Sequence, residues 1–248
     1  MQNDWLKKTL LIVHIPKAAG TTLRHIAGLN YSQSETFIIQ NDIPAEKRRL
    51  ATMPKNDMGR LRLIFGHQCH GWHHALPPGQ DYAYMTILRD PVERVISLRA
   101  YCDLHGHYLK DAVAGMSIAD FVTSGVTCTI DNGMTRQLCG EDRFLREPGR
   151  DMVIPHSGVT QAHFEQAKEN LAEYAIVGTV KQFSGIMGAC RRMFGWRIPN
   201  YKNANVTRWP KPTPNKRDLE AIRLHNELDL QLYLFARDLF EEREGAIK

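Results

Sequence analysis

The sequence predicts an α/β fold, a three-layer sandwich built on a mainly parallel sheet. Three observations carry that prediction. Short apolar runs recur along the chain, each bounded by polar residues, Gly or Pro, as buried strands are. Segments with apolar residues at helical spacing lie between and after them. The two kinds alternate, and strands separated by helices pair in parallel. A chain of 248 residues suits one such domain over residues 1–248, and its 43% hydrophobic content is enough for a sizeable core.

The first apolar run, Thr9 to Ile15, is Leu-rich and β-branched and stops at Pro16, which reads as a buried strand feeding a loop. A helix follows, started by Thr21 or Thr22, with Leu23, Ile26 and Ala27 on its inner face. Leu61 to Phe65, Tyr82 to Leu88 and Tyr174 to Val180 are three further strands. Helical spacing marks Pro91 to about Tyr101, the set Phe164, Ala167 and Leu171, and the C-terminal set Leu228, Leu232, Phe235 and Leu239. Asn200 to Lys216 is rich in Pro, Asn, Lys and Arg without periodicity, and reads as a loop.

A net charge of +5 favours anionic partners, among them nucleotides, phosphorylated ligands, acidic glycans and nucleic acid, and equally suits a merely solvated basic surface. The five cysteines are odd in number, scattered and free of CxxC spacing, so no disulfide framework or zinc ribbon is indicated and a reducing compartment fits. The N-terminal apolar run is too short for a signal peptide core or a membrane span, which points to a cytoplasmic protein.

Two segments carry chemistry. His14-Ile-Pro-Lys-Ala-Ala-Gly-Thr-Thr-Leu23 puts a Lys, a Gly and two hydroxyls in the turn between a buried strand and a helix N-terminus. Backbone N–H groups there lack intrahelical partners and the helix dipole favours negative charge, so a phosphate gains several charge-assisted hydrogen bonds at once. Gly20 lets the backbone approach and Lys17 adds full positive charge. The pattern GxxxxGKS/T is not met, because Thr21 follows Gly20 and the Lys comes earlier, and this disfavours a magnesium-dependent NTPase.

In the second segment, Tyr84 to Ser97, a strand runs straight into a helix with Asp90 as N-cap, Pro91 at its first position and Glu93 as the reciprocal partner of a capping box. Arg89 then stands at the carboxyl end of the strand, where open α/β sheets bind ligands, and Ser97 lies about two turns along the helix. A basic group and a hydroxyl can thus converge on one phosphate. Taken singly, Arg89 would pair with Asp90 or Glu93 and Ser97 would be a small polar helix residue.

HIPKAAGTTL and TILRDPVERVISL resemble the 5′-phosphosulfate loop and the 3′-phosphate motif of carbohydrate sulfotransferases, in the branch similar to heparan sulfate 2-O-sulfotransferase. FGHQCHGW, DNGMTRQLCG, YAIVGTVKQF and NVTRWPKP follow in the family's order, so the resemblance runs from about Leu10 to Phe240. It implies the P-loop nucleotide-kinase-like fold that sulfotransferases share, and 3′-phosphoadenosine-5′-phosphosulfate (PAPS) as sulfonate donor. By that resemblance Lys17, Ala18, Ala19, Gly20, Thr21 and Thr22 surround the 5′-phosphosulfate, and Arg89 and Ser97 hold the 3′-phosphate. Asn205, Thr207 and Arg208 fall in the family's late nucleotide-contacting loop, with Arg208 as the phosphate contact. The want of a leading membrane anchor implies a bacterial-type member with a soluble or lipid-linked acceptor.

Phe65-Gly-His-Gln-Cys-His-Gly-Trp-His-His74 holds five side chains capable of acid–base or metal chemistry. Zinc would suit Cys and His, but the ligands all come from one stretch, and no metal is expected. Gly66-His67 matches the family's Gly-His, which implies His67 as general base, able to take the proton of an attacking hydroxyl near neutral pH. Lys17 would stabilise the leaving phosphate oxygen. His70, Trp72, His73, Asn132 and Arg136 are the candidates to line the acceptor, a hydroxyl-bearing carbohydrate or glycolipid. The competing readings are a small-molecule kinase of related fold and a non-catalytic binder of acidic glycans, with nucleic acid not expected as partner.

Overall fold

The computed structural model describes residues 4–40, 42–104, 107–141, 158–199 and 212–246. Five strands, β1 (Thr9–Val13), β2 (Thr36–Ile38), β3 (Leu63–Gly66), β4 (Tyr82–Leu88) and β5 (Ile176–Thr179), form one sheet in the order β2-β3-β1-β4-β5. Every neighbouring pair is parallel. The helices are α1 (Gly20–Gly28), α2 (Ile43–Ala51), α3 (Lys55–Met58), α4 (Pro91–Cys102), α5 (Ile118–Thr123), α6 (Gly133–Leu138), α7 (Gln161–Glu173), α8 (Phe183–Phe194), α9 (Lys216–His225) and α10 (Glu227–Gly245).

Alternation along the strands divides the apolar residues between two cores. Leu11 and Val13 of β1 face one way and pack with Met134 and Leu138 of α6, Phe164 and Leu171 of α7, and Leu232 and Ala236 of α10. Leu10 and Ile12 face the other way and pack with Leu23, Ile26 and Ala27 of α1 and with Phe183, Ile186 and Cys190 of α8. Helices thus cover both sheet faces, and the continuous apolar character of each strand follows from burial on both sides. The expected three-layer α/β fold is the observed one.

The order matters for the site because β1 is central. Val13 lies opposite Gly66 of β3 on one side and Thr86 of β4 on the other. The chain therefore leaves β1, β3 and β4 side by side at one edge, the carboxyl edge where such sheets bind ligands.

The expected strands Leu61 to Phe65 and Tyr174 to Val180 are observed as Leu63–Gly66 and Ile176–Thr179, and details near the sheet's carboxyl edge also differ from the sequence expectation. The first strand ends at Val13 rather than Ile15, although the His14 N–H still donates to the Gly66 carbonyl at 2.8 Å. The helix after it starts at Gly20, with Ala19 as N-cap in the left-handed region at φ +61°, and no threonine caps it. Asp90 does cap α4, accepting from the Glu93 N–H at 3.0 Å, but the Glu93 carboxylate turns to Arg89 instead of closing the box.

At the other end of the chain, α6 and α10 cap each other. Asn132, held at φ +46°, accepts from the Leu228 and Asp229 N–H groups at 3.0 and 3.1 Å through its Oδ1. Asp229 returns the arrangement, accepting from the N–H groups of Met134 and Thr135 at 3.0 and 2.8 Å. Arg94 of α4 lies 3.3 Å from the same carboxylate, and both side chains are fully buried. Among the described residues no helix is long and apolar enough to cross a membrane, and all five cysteines are buried.

Candidate active site

The β1–α1 turn has an unusual backbone. Lys17 and Ala19 sit at φ +66° and +61°, a region that residues with a Cβ rarely occupy. α1 carries no side-chain cap and no acidic residue in its first turn, so its positive end is not offset by a side chain of that turn. Ala18, Gly20 and Thr22 are buried in the turn, and Thr21 is exposed. Position 20 also has no room for a side chain, since a Cβ there would come within 1.6 Å of the His14 ring at Nε2.

Arg89 joins the second segment to this turn. Its Nη1 donates to the Lys17 carbonyl at 3.0 Å, and its Nε lies 3.3 Å from the Glu93 carboxylate. The pairing with Glu93 is the ordinary fate of such an arginine, and the bond to Lys17 is the additional one. Ser97 is 2% exposed, one turn beyond Glu93 on the same face of α4.

His67 follows β3, and its Nδ1 is 2.8 Å from the His14 carbonyl. A carbonyl oxygen only accepts, so Nδ1 carries the proton and Nε2 is the basic nitrogen. The His67 and His14 rings stack with centroids 4.3 Å apart. Burial pushes the His67 pKa below its ordinary value, opposed by the bond to His14, and the imidazole is neutral at pH 7. The His14 pKa is held well below its ordinary value, first by burial, then by repulsion from His67 whenever that ring is protonated, and by the positive charges of Lys17 and Arg24. His14 is thus the meeting point of the lysine and the candidate base.

Gln137 of α6 secures this centre. Its Nε2 donates to the carbonyls of His14 and Gln68, at 3.0 Å each. Gln68 in turn donates to the Ile12 carbonyl at 3.0 Å. Sequence reasoning missed Gln137 as a positioning group and quoted His14 only as part of a motif. The ammonium of Lys17 lies 3.8 Å from the centroid of the Tyr101 ring, a cation–π contact at the end of α4.

The five residues expected to line an acceptor all have contacts within the fold. His70 packs against both Tyr84 and Tyr174, with centroids at 4.7 and 5.7 Å, and burial pushes its pKa down to about 4. His73 packs on Tyr82 at 4.4 Å, and its Nδ1 is 3.0 Å from the Tyr84 hydroxyl. Trp72 is 2% exposed and belongs to the core. Asn132 is the cap described above, and the buried Arg136 donates to the carbonyl and carboxylate of Asp131 at 2.6 and 2.7 Å. Each has a packing, pairing or capping role, and for Asn132 sequence spacing alone does not reveal the partners. Arg208, with Asn205 and Thr207, lies outside the described residues. Among the described residues no group of three His, Cys, Asp or Glu is arranged to hold a metal ion.

The chain is thus a parallel α/β protein with an uncapped, lysine-bearing turn at the carboxyl edge of its sheet and His67 hydrogen-bonded beside it. The comparisons narrow the class. No protein-family model matches the chain. It is 26% identical over 196 residues to human heparan-sulfate 6-O-sulfotransferase 3, covering 66% of this chain and 39% of that protein. It is 26% identical over 190 residues to heparan-sulfate 6-O-sulfotransferase 2 of Gallus gallus, covering 68% and 46%. Against heparan-sulfate 6-O-sulfotransferase 1 of Cricetulus griseus it is 25% identical over 281 residues, covering 94% and 67%. The chain is a distant relative of carbohydrate sulfotransferases, and spans less than half the length of the first two relatives. These relatives are 6-O-sulfotransferases, whereas the sequence motifs resembled the 2-O branch.

Proposed function

We propose that this chain transfers a sulfonate from PAPS to a hydroxyl of a carbohydrate. The observation that supports it most is the junction of three sequence segments at one place: Arg89 bonded to the Lys17 carbonyl, and His67 bonded to the carbonyl of His14, three residues before Lys17. The residues present suit the donor. The uncapped start of α1 with Lys17, Ala18, Ala19, Gly20, Thr21 and Thr22 would hold the phosphosulfate, Arg89 and Ser97 the 3′-phosphate, and Arg208, outside the described residues, a phosphate. When bound, PAPS supplies a sulfonate already attached to a phosphate leaving group.

The chain's own residues supply the rest. His67 keeps its Nδ1 proton on His14 and takes the proton of the acceptor hydroxyl at Nε2, the only ring position left for it. Lys17 places a full positive charge at the turn, where charge gathers on the departing phosphate oxygen. No step in this scheme calls on a metal ion. The names of the relatives favour the 6-hydroxyl of a glycan over a 2-hydroxyl as first acceptor to test.

The test is incorporation of label from radiolabelled PAPS into a panel of glycans, beginning with heparan-type oligosaccharides that carry unsubstituted 6-hydroxyls. Label on a glycan, absent without enzyme, is the expected result. Tight binding of ATP with magnesium and none of adenosine 3′,5′-bisphosphate would instead move the chain to the kinases.

A further inference from the structure

Beside Lys17 stands a group of aromatic side chains that the proposed transfer has not used. Tyr101 is 44% exposed and Tyr108 is 67% exposed, large fractions for rings of this size. The ring of His107 lies edge-on to Tyr101, with centroids at 5.0 Å, and stacks on Tyr108 at 4.8 Å. The three rings make a stepped surface.

Its position is fixed by two relationships. Tyr101 is four residues beyond Ser97 on α4, hence on the same helix face one turn further from Arg89. Its ring also carries the Lys17 ammonium at 3.8 Å, so the surface begins at the group proposed to face the transferred sulfonate. Core packing does not explain rings left in water, and exposed clusters of this kind mark binding sites.

We propose that Tyr101 and Tyr108, with His107 between them, form a subsite that binds a pyranose ring of the acceptor by stacking. This rests on the carbohydrate-transfer reading above. An aromatic face is negative, and the C–H groups on one face of a pyranose are weakly positive and apolar, so the two surfaces match in charge and in hydration. The sugar hydroxyls point outward from such a stack and remain available for reaction. The occupant is the acceptor and not the donor's base, because the base lies at the end of the donor remote from its sulfonate, whereas Tyr101 touches Lys17.

The experiment measures binding directly, without transfer. A heparin hexasaccharide stripped of 6-O-sulfate is titrated into the protein by calorimetry, using Tyr108→Ala, Tyr101→Ala and the corresponding Phe variants. Each alanine variant is expected to weaken binding about tenfold and each Phe variant less than about twofold, since stacking needs the ring and not the hydroxyl. The thermal shift given by adenosine 3′,5′-bisphosphate is expected to be the same in Tyr108→Ala as in the parent. Unchanged hexasaccharide affinity in the alanine variants, no saturable binding by the parent, or loss of the nucleotide shift in Tyr108→Ala would each overturn the subsite. Ring-dependent hexasaccharide binding without transfer from PAPS would sustain the subsite and overturn the enzyme reading alone.

Discussion

The Nδ1 of His67 lies 2.8 Å from the main-chain oxygen of His14, and this one contact decides which nitrogen of His67 is basic. His67→Ala is therefore expected to lower transfer by roughly two to four orders of magnitude, the usual worth of general base catalysis. Binding of adenosine 3′,5′-bisphosphate should be nearly unchanged. Since burial depresses the His67 pKa, the acid limb of kcat/KM should fall at a pH below the ordinary histidine value of 6.5. An acid limb above that value would remove His67 from the role.

Arg89 and Ser97 are expected to read the extra 3′-phosphate, so adenosine 3′,5′-bisphosphate should raise the melting temperature far more than adenosine 5′-phosphate at equal concentration. In Arg89→Ala that difference should vanish. Arg89→Lys should not restore it, because a lysine cannot both reach the Lys17 carbonyl and present a second donor in the guanidinium plane. Equal shifts in the parent protein would disprove the assignment.

Gly20→Ala should destabilise the protein by about 1–3 kcal/mol in urea denaturation, the usual cost of forcing an atom into a filled space. The obstacle is the end of the His14 ring, 1.6 Å from where the new Cβ would sit. Combining Gly20→Ala with His14→Ala should therefore cost less than the sum of the two single changes. Strict additivity would mean that the two positions do not compete for space.

Acid should unfold this protein earlier than its carboxylates alone would require. The His70 pKa is pushed down to about 4 by burial against Tyr84 and Tyr174, from an ordinary 6.5. A depressed pKa means that the unfolded chain binds more protons below pH 6.5. The stability this group confers is full above pH 6.5 and is lost as pH falls toward 4. His70→Phe, which keeps the stack and removes the titration, should flatten the melting temperature against pH across that window. An unaltered slope would refute it.

Asp229→Ala should cost about 3–5 kcal/mol, the range for removing one partner of a buried ion pair, because Arg94 is left charged and buried. Asn132→Ala should cost about 1–2 kcal/mol, as the loss of a helix cap does. Denaturation midpoints of the two variants check the order. A larger loss for Asn132→Ala would contradict the pairing described.

Much of the sheet could be read from sequence because a strand buried on both faces leaves an unbroken apolar run, and Tyr82–Leu88 was bounded to the residue. β2 escaped because three residues at a sheet edge are too few to show a pattern. α6 escaped for the opposite reason. All its residues are buried, so no polar stripe marks it as a helix. With it went Gln137, whose partner His14 is 123 residues away, a distance over which local spacing carries no information. The left-handed Lys17 and Ala19 could not be foreseen either, since neither is the glycine or asparagine that usually signals that geometry. That Asn132 caps α10 was hidden too, because its partners Leu228 and Asp229 lie nearly a hundred residues further on.

The reciprocal caps also set a timetable. His67, Arg89 and Ser97 all leave the ribosome well before α10, yet the Gln137 that steadies the His14 carbonyl sits on a helix whose first N–H groups wait for the Asp229 carboxylate. Two of the first N–H groups of α6 have their partner only once that carboxylate has arrived. The native hydrogen bonds around the His14 carbonyl are thus tied, through one short helix, to the docking of the last one.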